Sequence, residues 1–431
     1  MSLHGFLSRF VPVRPDEVRA LLWSFAYFFC LLASYYVLRP LRDEMGIAGG
    51  VRNLHWLFTA TFLVMLAAVP LFGAVVARLP RQRFVPLVYH FFVVNIAIFW
   101  LLLTLGVARI EVARVFFVWI SVFNLFAVSV FWSFMADLFV SEQGKRLFGF
   151  IAAGGSLGAL TGPALTVWLA GVLGPVNLLL VAALLLEAAV LCARGLESAA
   201  PQTPDTGARA APRLAQSPIG GNAFAGFRLL LRSGYLSGIA LWVLLLSLAG
   251  TFLYFQQANI VASASDDPAV RTRIFASIDL AAGILTLLVQ TLVTGRLIER
   301  FGIGPAAAFL PLVFAIGFAA LAMNPVLVLV VAFQAVQRTA NFAISNPARE
   351  VLFTAVQREE KYKAKYLIDG VVFRGGDALS GWLFNLLRAA GVELSAIAAG
   401  SVPVILGWMV VALLLGKAHE RRVADAPAPR H

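Results

Sequence analysis

The sequence predicts an all-α polytopic membrane protein of about twelve spans in two pseudo-symmetric six-helix bundles. Three observations predict it: a mean hydropathy of +0.86, apolar runs of bilayer length along the whole chain, and a recurrence between its two halves. Of the 431 residues, 60% are hydrophobic and 13% charged. A single globular core stops growing well before it could absorb that much apolar surface, so the excess is read as lipid-facing.

The first six runs fall at 18–38, 54–77, 84–105, 112–138, 148–170 and 176–193. The second six fall at 236–261, 274–297, 305–323, 326–344, 367–387 and 394–415. Between them, residues 195–221 are rich in Pro, Ala and Gly with scattered Arg, the composition of a polar linker. The expected organisation is an N-terminal bundle over 1–194, a cytoplasmic linker over 195–232, a C-terminal bundle over 233–418 and a cytoplasmic tail over 419–431. Residues 1–19 are basic but lack a small-residue cleavage site behind a short apolar core, so no cleaved signal is expected.

A formal charge of +12 in a soluble protein would suggest nucleic acid. Here the cations sit in short loops, where they set topology. Arg9, Arg14 and Arg19 precede the first span, Arg78, Arg81 and Arg83 follow the second, and Lys145 and Arg146 follow the fourth. Arg194, Arg209, Arg213, Arg228 and Arg232 lie around the linker, Arg296 and Arg300 follow the eighth span, and Arg358 to Lys365 follow the tenth. Lys417, Arg421 and Arg422 close the chain. All alternate onto one side, which predicts cytoplasmic termini and a multi-pass protein of the inner membrane. The exception is Arg39 and Arg42, on the opposite side. Cys30 and Cys192 lie inside apolar runs, so no disulfide framework is expected.

The halves repeat. Ala77-Arg78-Leu79 matches Gly295-Arg296-Leu297 at an offset of 296 − 78 = 218, and Gly154-Gly155 matches Gly375-Gly376 at 375 − 154 = 221. Near-constant offsets across a linker indicate two parallel six-helix repeats, the arrangement of the major facilitator superfamily, with a substrate site near the midplane.

Ionisable side chains inside apolar spans are costly and seldom idle. The densest group runs from Lys361 to Gly381. At roughly 100° per residue, Lys365, Asp369 and Asp377 fall within an arc of about 120°, with Arg374 some 60° beyond. In the first span Tyr35, Arg39 and Arg42/Asp43 share a face. Two readings stay open for it: an Arg–Asp clamp at the helix end, or guanidiniums presenting planar donors to a phosphate or carboxylate. Pro40 predicts a helix break there.

The fourth span carries an aromatic stripe with Asn124, Trp132, Ser133 and Asp137; the stripe reads as packing, with ring stacking of Trp132 on a ligand as the sharper alternative. Asp137 is expected to pair with Lys145 or Arg146. Residues 148–162 hold five glycines. They lack the Lys-Ser/Thr ending of a phosphate loop and read as a helix-packing face used in rocking. Glu187 and Asp279, flanked by apolar residues, are candidate proton-coupling carboxylates. The alternative for Asp279 is a structural pair with Arg271 or Arg273. Arg338 is a candidate cavity cation, and Arg349-Glu350 a cytoplasmic gate pair. The five histidines are scattered, and no nucleophile–base set sits on enzyme spacing. No metal, no cofactor and no enzymatic activity are expected.

Three stretches resemble one family. Leu38-Arg39-Pro40-Leu41-Arg42-Asp43 resembles the Leu-Arg-x-x-Lys-Asp end of the first helix in the bacterial and plastid ATP:ADP antiporters. Ser141-Glu142-Gln143-Gly144-Lys145-Arg146-Leu147-Phe148 resembles their acidic–Lys-Arg-Phe/Tyr segment after the fourth helix. Asn346-Pro347-Ala348-Arg349-Glu350, followed by Lys361-x-Lys363-Ala364-Lys365-x-x-Ile368-Asp369, resembles their segment between the tenth and eleventh. The similarity runs through both halves in matching order. It implies nucleotide exchange, with Arg42, Glu142 and Lys365 at positions where that family keeps functional charges. The chain departs from the pattern at Arg42, at Leu253-Tyr254-Phe255-Gln256-Gln257, which carries no charge, and at Gly375-Gly376-Asp377. Another anionic cargo is equally consistent with those departures.

The combined expectation is a monomeric secondary transporter of a small anionic metabolite, nucleotides first, working by alternating access in a lipid bilayer. Arg39, Arg42, Arg338, Lys365 and Arg374 are the expected anion ligands, positioned by Asp369 and Asp377. Glu142, Lys145, Arg349 and Glu350 form the expected gate. Two alternatives remain: a proton-coupled exporter of amphiphilic or lipid-like compounds using Glu187 or Asp279, and a transport-inactive scaffold or sensor.

Overall fold

The computed structural model describes residues 12–76, 81–139, 141–199, 230, 232–356, 364–365 and 367–424; of 69–76, 81–84, 141, 145 and 298 only the backbone is described. The helices are α1 (Val18–Ala48), α2 (Leu54–Val76), α3 (Arg81–Thr104), α4 (Arg109–Leu138), α5 (Ser141–Leu173) and α6 (Leu178–Ala199). They continue as α7 (Gly234–Ala264), α8 (Pro268–Leu292), α9 (Thr294–Phe301), α10 (Ile303–Met323) and α11 (Leu327–Ala340), then α12 (Asn346–Leu352), α13 (Phe373–Ala389) and α14 (Leu394–Ala424). No strand occurs among the described residues. Eleven described segments are long and apolar enough to cross a membrane. The remaining expected span, 367–387, is present as a π-helical turn (Leu367–Val372) leading into the 17-residue α13, which carries Arg374, Asp377 and Arg388.

The chain packs as two compact units that follow the sequence halves apart from two short segments, 51–62 and 265–280. One comprises Met1–Gly50, Leu63–Ala211 and Ser265–Leu280; the other comprises Val51–Phe62, Pro212–Ala264 and Ala281–His431. In the first unit α1 is the central post, packed against α5, α6 and α4. Its contact with α5 is made by the glycines the sequence analysis singled out. A Cβ on Gly154 would lie 2.5 Å from the Phe25 carbonyl oxygen, and one on Gly162 2.7 Å from that of Ala33. Backbones can approach this closely only where side chains are absent. On its other faces α1 packs through rings, including Phe28 stacked on Phe131 at 4.1 Å and the Tyr27 hydroxyl donating to Tyr89 at 2.7 Å. The aromatic stripe of α4 is thus packing, with Trp132 edge-on to Phe28 and Phe148.

In the second unit α7 packs on α13 and α14, and α10 on α14. Gly304 and Gly416 meet backbone to backbone. A cluster of Trp242, Trp408, Phe314 and Phe333 fills the space beside them. The repeat read from sequence has a structural counterpart. α1 and α7 are both 31 residues long and start 216 positions apart. Their partners α5 and α13 each run to a glycine turn with left-handed φ, Gly174 (76°) and Gly391 (82°), separated by 391 − 174 = 217.

Three local expectations need correction. Pro40 does not break α1, which runs unbroken from Val18 to Ala48. Proline removes one backbone hydrogen bond, and the surrounding Val37, Leu38 and Leu41, all 0% exposed, hold the helix in register through packing. The eighth run ends sooner than expected, with α9 a separate helix beyond Leu292. The tenth run passes from α11 into a π-turn (Asn341–Ser345) before α12, where Pro347 stands at the helix start. Several expectations lie outside the described residues: Arg9, Arg78, Arg209, Arg213, Arg228, Arg358 and Lys361 to Lys363, together with the side chains of Arg81, Arg83 and Lys145.

Candidate functional site

In the first unit the two exceptional arginines of α1 have acidic neighbours. Arg39 Nη1 lies 3.2 Å from Asp279 Oδ1 on α8, and the Asp279 side chain is only 1% exposed. The expectation that Asp279 pairs with Arg271 or Arg273 fails for a geometric reason. Arg271 and Arg273 stand eight and six residues back along the same helix, about 12 and 9 Å of rise, and the acid pairs across to α1. Arg271 instead donates to Glu44 at 2.8 Å, a second pair linking α1 and α8 that the sequence analysis did not assign. Arg42 lies 3.7 Å from Asp43, longer than a good hydrogen bond, with its guanidinium 4.2 Å from the Phe117 ring centre. The Arg–Asp clamp is therefore present as a loose contact.

In the second unit, residues expected in separate roles form one cluster. Arg349 lies 3.3 Å from Asp369, and Lys365 Nζ reaches both carboxylate oxygens of Glu350 at 2.6 Å. Lys365 and Asp369, expected to bind substrate, thus interlock with the expected gate pair Arg349-Glu350. One π-turn (Asn341–Ser345) precedes the Arg349-Glu350 helix, and a second (Leu367–Val372) carries Asp369 itself. Such turns are mostly single-turn bulges within α-helices, frequently near functional sites, and the one at Leu367–Val372 displaces Asp369 from the uniform α-helical arc the sequence analysis assumed.

Further along α13, Asp377 accepts hydrogen bonds from Ser247 (2.7 Å) and Thr251 (3.2 Å) of α7 and lies 3.6 Å from Arg374. Arg338 is 9% exposed on α11, one turn from Gln334, whose amide donates to Gln257. These glutamines fall in the uncharged stretch of α7 and beside the Arg338 position. They are buried polar groups the sequence analysis passed over because amides carry no charge.

The remaining candidates are peripheral. Glu187 lies 3.6 Å from His90 Nε2, both side chains more than a third exposed. Glu142 is exposed in the first turn of α5. Arg146 donates to Glu17 at 2.8 Å, with Gln143 donating to the same carboxylate at 3.0 Å. This clamp of α1 to α5 was not anticipated, because Glu17 lies just outside the apolar run. Burial opposes the Glu17 carboxylate, but hydrogen bonds from Arg146, the Arg14 amide and Gln143 outweigh it and hold its pKa below the ordinary value. A lowered folded-state pKa contributes stability that is complete above the unfolded value and is lost as pH falls through the folded one. Glu17→Gln is therefore expected to melt below wild type at neutral pH, the gap closing as pH drops past about 4. A gap that stays constant across a melting series in pH would refute this role.

Comparison with known proteins establishes the fold. No family model matches the chain, and no curated protein matches it. Among solved structures, a bacterial homologue of the human lysosomal transporter Spinster, inward-facing and unoccupied, superposes with a TM-score of 0.60 at 15% identity, covering 97% of this chain and 100% of that one. The nucleoside transporter NupG gives 0.61 at 14%, covering 96% and 100%. A bacterial homologue of the iron transporter ferroportin, also inward-facing, gives 0.63 at 12%, covering 94% and 98%. The chain thus has the major-facilitator fold, shared with proteins that carry quite different cargoes.

Proposed function

We propose that the protein is a secondary transporter of a small anionic metabolite, nucleotides of the ATP/ADP type first, exchanged across the inner membrane by rocking of its two six-helix bundles. The observation that supports this most is the set of guanidiniums within apolar helices: Arg338, which is buried, and Arg39 and Arg42, which are half-buried. A polyanion needs several cations, and arginine offers planar, bidentate donors at low desolvation cost. Asp279 and Asp43 act as resident counter-anions that an incoming phosphate displaces. The Lys365–Glu350 and Arg349–Asp369 pairs open and close at the cytoplasmic end.

The test is uptake of labelled ATP into proteoliposomes that are either empty or preloaded with unlabelled ATP or ADP. Uptake should require internal nucleotide. Arg42→Ala and Lys365→Ala should each slow it by about ten- to a hundredfold, the loss of one hydrogen bond to a charged group. Unchanged kinetics in both would sink the assignment. The Glu187–His90 contact favours a second reading, a proton-coupled exporter of amphiphilic compounds, since a carboxylate and an imidazole lie 3.6 Å apart on adjoining helices. That reading predicts flux driven by a proton gradient without internal nucleotide. No flux under either condition would leave a transport-inactive member of the fold.

A further inference from the structure

We propose that a cavity in the second unit, bounded by the start of α2 and the ends of α7 and α13, binds a phosphate group, carried by a lipid headgroup or by a free phosphomonoester. The cavity has a volume of about 400 Å³, and none of its lining residues is acidic. Arg52 and Arg388 stand at it, both exposed, with Asn385 beside them. Arg388 is held by one hydrogen bond to the Val392 carbonyl at 2.9 Å, which fixes the fork while leaving further N–H donors. His55 lines the cavity at 6% exposure, and its Nδ1 makes no well-formed hydrogen bond among the described residues, its nearest backbone partner being Arg52. A buried polar atom without a partner is costly, so a ligand that satisfies it gains that energy. Phe255 and Phe384, edge to face at 5.2 Å, form the apolar wall. Two guanidiniums and an imidazole with no carboxylate make a site for an anion, and phosphate suits the arginine fork.

The neighbouring rings indicate depth. Trp56 and Trp382 are 56% and 40% exposed and pack edge to face at 4.8 Å, with the Trp382 indole donating to Thr59 at 3.0 Å. Exposed tryptophans with a polar tip satisfied mark the membrane–water boundary. Arg52 and Arg388 would then lie at headgroup level, where basic pockets meet lipid phosphates. None of these residues belongs to either charged cluster described above, and the inference does not rest on transport.

The experiment measures binding without flux. The full chain, purified in uncharged detergent, is titrated with phenyl phosphate in one arm and short-chain phosphatidic acid in the other. Binding is read by the shift in melting midpoint and by lipid retained in native mass spectrometry. At least one ligand should stabilise wild type, and Arg52→Gln/Arg388→Gln should weaken its apparent Kd by about tenfold or more. Arg296→Gln/Arg300→Gln, exposed arginines elsewhere, should change nothing. If the double variant does not fold, Asn385→Asp, which places a carboxylate in the cavity and spares both arginines, should abolish the same shift. A response confined to phosphatidic acid identifies the headgroup as source, and one confined to phenyl phosphate the free ester. No stabilisation of wild type by either, or equal stabilisation of wild type and the cavity variants, overturns the proposal.

Discussion

Arg39→Leu should lower the stability of the protein by about 3–5 kcal/mol, the cost of removing one partner of a largely buried ion pair. The group that loses this partner is Asp279, whose side chain is 1% exposed. Arg39→Leu/Asp279→Leu should recover most of that loss, because an apolar pair needs no desolvation to be compensated. A double-mutant cycle on melting midpoints measures the coupling directly. Additive losses would show that the two side chains do not depend on each other. The double variant also separates architecture from activity. If an incoming anion displaces Asp279 from Arg39, the repaired protein is stable yet inactive in exchange.

Gly158→Leu should prevent the protein from assembling. A Cβ at that position falls on the Phe29 carbonyl oxygen and 2.9 Å from the Ala33 nitrogen, and backbone cannot swing aside as a side chain can. Overpacking a core costs about 1–3 kcal/mol where neighbours relax; here α1 and α5 must separate instead. Gly149→Leu is the matched control, since a Cβ there meets nothing within 4 Å. The expected readout is a monodisperse size-exclusion peak for Gly149→Leu and none for Gly158→Leu. Equal peaks would mean the helices tolerate a wider spacing than the structure requires.

The spans were legible because bilayer length and hydropathy act locally, and the glycine face of α5 because small residues have one common use between apolar helices. The repeat was legible because each half keeps its glycines and arginines at matching distances. Charge pairing was not. Sequence spacing joined Asp279 to Arg271 and Arg273, whereas the partners come from α1, and nothing local to α8 announces that. Glu44, which pairs with Arg271 of α8, was passed over for the same reason. The π-turns escaped because a single inserted residue leaves hydropathy unchanged while shifting the phase of every side chain beyond it. Gln257 and Gln334 escaped because a buried amide pair carries neither charge nor apolar period. Lys365 and Asp369 were identified as important and Arg349-Glu350 as paired, but only three dimensions join the four into one cluster.

The pairing of α1 with α8 has a consequence for biosynthesis. Glu44 and Arg271 are 227 positions apart in the chain. At about 5–20 residues per second of translation, the newly inserted first helix waits roughly ten to forty-five seconds for its partner to emerge from the ribosome. Throughout that interval Arg39 and Glu44 reside in the nascent protein without Asp279 and Arg271. The first helix must therefore be sheltered by the insertion machinery, by water or by lipid headgroups until α8 arrives, and ribosome stalling between the two would leave a half-protein with its charges exposed to the bilayer.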